Sequence, residues 1–137
     1  MIVNFFFLLH LVLFQIFLEC CLDVNSQDVG GWSALHEAAF AGREDFIKIL
    51  LSSGADINIQ NSDGATPLFT AAQYGHDACL KLLLKEGADI SLLTVDKASP
   101  LFIASQEGLT GCINMLLTAG RRYAYFQRIV DVNHKIQ

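Results

Sequence analysis

Basic residues are scarce. The 137-residue chain carries nine Lys and Arg against fourteen Asp and Glu, a net charge of −5, and no cation precedes Arg43. No long basic run occurs, so no surface is built to neutralise phosphate, and nucleic acid is not an expected partner. Histidine occurs four times, and none has metal-ligand spacing with Cys or another His. The pair His36–Glu37 matches the opening of a zinc-protease helix, but the second His required four residues later is Phe40. No phosphate-binding Gly loop and no nucleophile with a base is present. The expectation is therefore no enzyme, no cofactor and no metal. The four cysteines, Cys20, Cys21, Cys79 and Cys112, fall in no zinc or redox spacing. Cys79 and Cys112 precede Leu80 and Ile113 and read as buried thiols serving as small apolar side chains. No Asn-x-Ser/Thr acceptor occurs, in keeping with a reducing interior. The expected location is cytoplasmic, with membrane association as the alternative.

What the chain has in quantity is repetition. "SALHEAAFAG" (33–42), "TPLFTAAQYG" (66–75) and "SPLFIASQEG" (99–108) stand 33 residues apart. Leu35, Leu68 and Leu101 share one register, as do Ala38, Ala71 and Ala104. Gly42, Gly75 and Gly108 form a third row, and Gly54, Gly87 and Gly120 a fourth. Both prolines, Pro67 and Pro100, share a row, and Cys79 and Cys112 share another. A fixed period of this length marks a stacked repeat architecture.

Each row has a mechanical reading. Ser33, Thr66 and Ser99 cap a helix by accepting a backbone N–H bond. Pro67 and Pro100 come next, at the first helical position, where a missing N–H does no harm. The alanine pairs beyond them let neighbouring helices approach closely. Gly42, Gly75 and Gly108 end this short helix. A second helix is expected in each copy, carried by Phe46–Leu51, Cys79–Leu84 and Cys112–Leu117, and Gly54, Gly87 and Gly120 are expected to stop it. "ADINIQNSDGA" and "ADISLLTVDKA" suit extended arms with tight turns between copies.

With these rows in place, the chain resembles the ankyrin-repeat family over residues 28–120, "TPLF" standing for that family's Thr-Pro-Leu-His. The resemblance implies an all-α ankyrin-repeat solenoid of about three helix-pair repeats, at 28–60, 61–93 and 94–120, with residues 121–137 as a C-terminal extension. It implies that His36 is a scaffold residue bonded to the turn. A narrower resemblance, to the ankyrin-repeat and SOCS-box proteins, is carried by "DKASPLFIASQEGLTGCINMLL" and "GATPLFTAAQYGHDACLKLLL". It implies the substrate-recognition part of a cullin-type ubiquitin ligase adaptor. No SOCS box is evident in the last seventeen residues, so under this reading the chain is a fragment or short isoform.

The ends depart from the pattern. The apolar content is 53% against a usual value of about 45–50%, and much of the excess lies in the first 22 residues. Residues 2–18 make an apolar run broken by Asn4, His10 and Gln15. Three readings stay open for residues 1–27: a degenerate half-repeat, a membrane span, or a signal segment. For the first, residues 10–25 fall in register with the second helix and exit turn, Gln15 landing on its one polar position. For the second, the run approaches the ~20 apolar residues of a span. Against a signal segment, no basic start precedes the run. After Gly120 the expected Ala-Asp is replaced by "RRYAYFQRIVDVNHKIQ", a basic stretch read as a terminal extension, with recognition of an anionic partner as the sharper alternative.

The family resemblance implies a protein-binding module that uses turn tips and the inner helices of a concave face. Carried over position by position, the tips are Val29, Gly30 and Trp32; Ser62, Asp63 and Ala65; and Val95, Asp96 and Ala98. The inner-helix positions are Phe40 and Ala41; Gln73 and Tyr74; and Gln106 and Glu107. These residues vary between copies while the scaffold rows hold. A monomer with a protein partner is expected, and the alternative is an adaptor of the same repeats tethered to a membrane through residues 2–18.

Overall fold

A computed structural model describes residues 23–136 of the chain. Six helices succeed one another: α1 (Ala34–Phe40), α2 (Glu44–Ser52), α3 (Pro67–Gln73), α4 (Asp77–Lys85), α5 (Pro100–Gln106) and α6 (Thr110–Ile136). The described residues form no strand, only one isolated antiparallel bridge between Gln27 and Ser33. The fold is the all-α repeat array expected from the 33-residue period.

The caps behave as their residue types dictate. Ser33, Thr66 and Ser99 have extended backbone, and their hydroxyl oxygens accept from the amides of His36, Phe69 and Phe102. Pro67 and Pro100 open α3 and α5 without losing a hydrogen bond. Gly42, Gly75 and Gly108 close the short helices with φ of 68°, 71° and 69°.

The short helices form an inner row in which α3 packs against both α1 and α5, and each also packs on its own second helix. The second helices α2, α4 and α6 pack in a row behind them. Between the rows lies one core, with Leu35, Ile47, Leu50, Leu68, Leu80, Leu83, Ala104 and Cys112 at 1% exposure or less. Position in the array decides burial. The middle helix α3 buries every residue from Pro67 to Ala72, whereas α5 leaves Phe102 58% exposed.

Two junctions hold the repeats in register, and they use the same bonds. The Gln27 side-chain amide donates to the Gln60 carbonyl at 2.9 Å, and that of Gln60 to the Leu93 carbonyl at 3.4 Å. The Asn25 side-chain oxygen accepts from the Asp56 amide at 2.7 Å, and that of Asn58 from the Asp89 amide at 2.8 Å. The turn backbones stack, Ser62 N–H donating to the Gly30 carbonyl at 3.0 Å and Val95 N–H to that of Asp63 at 2.9 Å. At the next step of each row stand Ser91 and Leu93, which lack a side-chain amide.

The end of the third repeat departs from the sequence expectation. Gly54 and Gly87 stop α2 and α4 with φ of 88° and 91°. Gly120 lies inside α6, which continues for 27 residues from Thr110. The stop depends on the residues just beyond the glycine. Ala55-Asp56 and Ala88-Asp89 turn the chain into an arm held by Asn25 and Asn58. Arg121-Arg122-Tyr123 has no such anchor among the described residues and continues the helix. The helix of the half-repeat reading, residues 10–22, and the membrane reading of residues 2–18 lie outside the described residues. Among the described residues, no helix is long and apolar enough to cross a membrane.

Candidate functional site

His36 belongs to the scaffold. It is fully buried, and its Nε2 lies 2.8 Å from the Ala65 carbonyl. A carbonyl only accepts, so Nε2 carries the proton, and Nδ1 accepts from the Ser33 amide at 3.2 Å and faces the Ser33 hydroxyl at 2.9 Å. Burial holds the His36 pKa below its ordinary 6.5, although the bond to the Ala65 carbonyl opposes that shift. The ring is a neutral clamp between the first helix and the second turn. Among the described residues, no group of three His, Cys, Asp or Glu is placed to hold a metal ion. The buried thiols are inert as nucleophiles. Burial, with Glu44 and Asp45 nearby, pushes Cys79 up to about 11. Burial and the hydrogen bond from its Sγ to Asp77 push Cys112 up to about 12.

The surface residues expected at the turn tips and inner helices divide by geometry. Trp32, Phe40 and Tyr74 converge. The Trp32 and Phe40 ring centroids are 6.1 Å apart at 85°, and those of Phe40 and Tyr74 are 4.7 Å apart at 80°. Both pairs have the edge-to-face geometry that aromatic quadrupoles favour. The row crosses the junction between the first two repeats, because Phe40 ends α1 and Tyr74 caps α3. Phe40 and Tyr74 keep 45% and 48% of their surface in solvent despite that contact. Trp32 is half-buried against His36, at 5.6 Å between centroids.

Of the other expected positions, Val29, Gly30, Ala41, Ser62, Asp63, Val95, Asp96, Gln106 and Glu107 are exposed, and Gln73 and Ala98 are partly so. The charged groups among them, Asp63, Asp96 and Glu107, are all acidic. Ala65 is a correction. It is only 7% exposed, since its N–H donates to Asn61, and its carbonyl accepts from Asn61 N–H and from His36. It closes the turn and offers nothing to a partner. Sequence reasoning misses Phe102, because this residue shares the register of His36 and Phe69 and reads as scaffold. Phe69 is 8% exposed under the third repeat, whereas among the described residues no turn covers Phe102. Only the position of its copy at the end of the row could have signalled this.

Comparison with known families agrees with the geometry. The family of ankyrin repeats (3 copies) matches residues 53–126, and a single ankyrin repeat matches residues 30–62. The chain belongs to the ankyrin repeat family. Its repeats define a protein–protein interaction module, and no catalytic family is among the matches. Neither match singles out the narrower SOCS-box group. A search of curated proteins found no match.

Proposed function

We propose that the chain binds a protein partner as a monomer through the face made by α1, α3, α5 and the turn tips, the concave face of the array. The aromatic row Trp32–Phe40–Tyr74 is its energetic centre. One observation carries this reading: Phe40 and Tyr74 touch at 4.7 Å yet stay nearly half exposed. Aromatic side chains held rigid by one another lose little entropy on binding, and they dominate interface energetics. The acidic rim of Asp63, Asp96 and Glu107 favours a partner segment that is basic or mixed in charge. Capturing a partner and measuring its affinity for point variants tests the assignment. Tyr74→Ala or Trp32→Ala is expected to weaken binding by about 1 kcal/mol or more. Lys48→Ala and Lys81→Ala, on the outer helices, are expected to leave it unchanged. The opposite pattern moves the site to the outer face.

The finer reading, substrate recognition for a cullin-type ubiquitin ligase in the cytoplasm, is supported by the likeness of residues 96–117 to the ankyrin-repeat and SOCS-box proteins. Under it, the captured partner is a ligase client, and excess of this chain lengthens the client's lifetime. A membrane-tethered adaptor anchored through residues 2–18 predicts instead that the native chain fractionates with membranes.

A further inference from the structure

The grooves between successive outer helices repeat with the 33-residue period, and only the second keeps its cations unpaired. The first, between α2 and α4, measures about 230 Å³ and is lined by Lys48, Leu51, Ser52, Leu82 and Glu86. One period on, the same positions hold Lys81, Leu84, Lys85, Met115 and Ala119, and all five line the groove between α4 and α6. That groove measures about 960 Å³. In the first, the cation is answered twice. Glu44, one turn back on α2, lies 3.2 Å from Lys48, and Glu86 stands on the α4 side. In the second, both answers are gone. Asp77 holds the position of Glu44, but its Oδ1 accepts from the Cys112 thiol at 3.0 Å. Ala119 replaces Glu86, and Lys85 replaces Ser52. Because α6 runs on past Gly120, Arg122 joins the lining. Lys81, Lys85 and Arg122 form no ion pair among the described residues. The carboxylate in this lining, Asp89, is turned to its own turn, where its Oδ1 accepts from the Ser91 amide at 2.9 Å and hydroxyl at 2.6 Å. Lys81 and Lys85 stand four residues apart on α4, a spacing at which like charges repel. They rim a half-buried apolar floor of Leu84, Ile90 and Met115, in a chain of net −5.

We propose that the groove between α4 and α6 binds an acidic, leucine-bearing segment of a partner protein. Carboxylates of the segment take the place that Glu44 and Glu86 hold in the first groove, and its apolar side chains cover the floor. Charge complementarity selects the segment, and the floor holds it. An anionic bilayer fits poorly, because the apolar floor is recessed below the charged rim and a narrow chain reaches it where a flat surface does not. The site lies on the outer helices, separate from the aromatic row, and the partner of the concave face is expected to be indifferent to Lys81.

The test is an anisotropy titration of the full chain with a fluorescein-labelled peptide of repeated Asp-Glu-Leu. The peptide is expected to bind, more weakly as salt rises, and its Asn-Gln-Leu counterpart is expected not to bind. Lys85→Ser with Ala119→Glu rebuilds the pattern of the first groove and is expected to lower the affinity at least about tenfold. Where that variant shifts the urea midpoint, Arg122→Gln at an exposed position replaces it, with an expected loss of at least about threefold. Lys48→Ala and Tyr74→Ala are expected to bind the peptide as the native chain does. No binding by the native chain, full binding by the rebuilt groove, or loss of binding in Tyr74→Ala overturns the proposal. Binding to phosphatidylserine vesicles that the rebuilt groove abolishes, with the peptide left free, assigns the cations to lipid and also overturns it.

Discussion

The junctions between repeats and the outer edge of the third repeat use the same positions for different ends. At a junction the turns are so close that an added Cβ would collide. At Gly31 it would lie 2.7 Å from the Ser62 nitrogen, and at Gly64 it would lie 3.0 Å from that of Val95. Both glycines have positive φ, 77° and 78°. The third member of the row is Lys97, which holds φ of 65° with a full side chain, because no turn stacks beyond it among the described residues. The amide side chains of Gln27, Gln60, Asn25 and Asn58 give way to Leu93 and Ser91 at the same edge. The backbone geometry repeats in all three copies, and only a succeeding copy demands small or amide-bearing residues.

The comparison breaks most sharply if a core residue at a junction proves dispensable. Leu83, fully buried in α4, is expected to cost roughly 2–5 kcal/mol when truncated to Ala, by urea denaturation, whereas Leu117→Ala, 41% exposed at the outer edge, costs under about 1 kcal/mol. A cost below half a kcal/mol at Leu83 removes the basis for a shared core. Next, Gly31→Ala should destabilise by roughly 2–4 kcal/mol, from left-handed strain plus collision with a neighbouring backbone that has little room to yield. Gly54→Ala is its control. That glycine has φ of 88° with open space around it, so only the strain of about 1–2 kcal/mol remains.

The His36 clamp gives a pH signature confined to the first junction. The folded pKa lies below the ordinary 6.5, so folded and unfolded chains both hold a neutral ring above that pH and its contribution is fully present. As pH falls below 6.5 the unfolded chain takes up a proton first, and the contribution is lost down through the folded pKa. The denaturation midpoint of the native chain should therefore fall with acidification more steeply than that of His36→Phe. Parallel profiles for the two would separate the ring from the acid response. Thiol labelling sharpens the contrast further. Cys79 and Cys112, pushed up to about 11 and about 12, should both resist iodoacetamide at mildly alkaline pH. In mild denaturant Cys112, in the repeat packed on one side, should label first. The smallest effect is expected at Lys97→Gly, which should stabilise by about 0.5 kcal/mol through relief of the left-handed backbone.

Much of the fold was legible because each row serves one local mechanical need. A Ser or Thr before Pro-Leu caps a helix, and a glycine after the alanine pair ends it, whatever lies elsewhere. The errors lie where a residue answers to a distant partner. Gly120 matches Gly54 and Gly87, yet only those two lead into arms whose amides are held by Asn25 and Asn58. Ala65 occupies the same register as the half-buried Trp32, but its carbonyl is claimed by His36 across the junction. Phe102 shares the register of Phe69, yet no further repeat covers it among the described residues. The aromatic contacts among Trp32, Phe40 and Tyr74 were accessible in outline, because the period places Phe40 and Tyr74 on neighbouring inner helices; the edge-to-face angles were not.

The junction bonds also bear on how the chain is made. The clamp from His36 to Ala65 spans 29 residues, the Asn25–Asp56 bond 31, the Gln27–Gln60 bond 33 and the His76–Phe40 bond 36. No contact of this kind waits for a remote part of the chain. At a synthesis rate of roughly 5–20 residues per second, the first pair of repeats can lock together seconds before the last helix leaves the ribosome. The nascent array then grows by addition of one unit at a time onto a finished template.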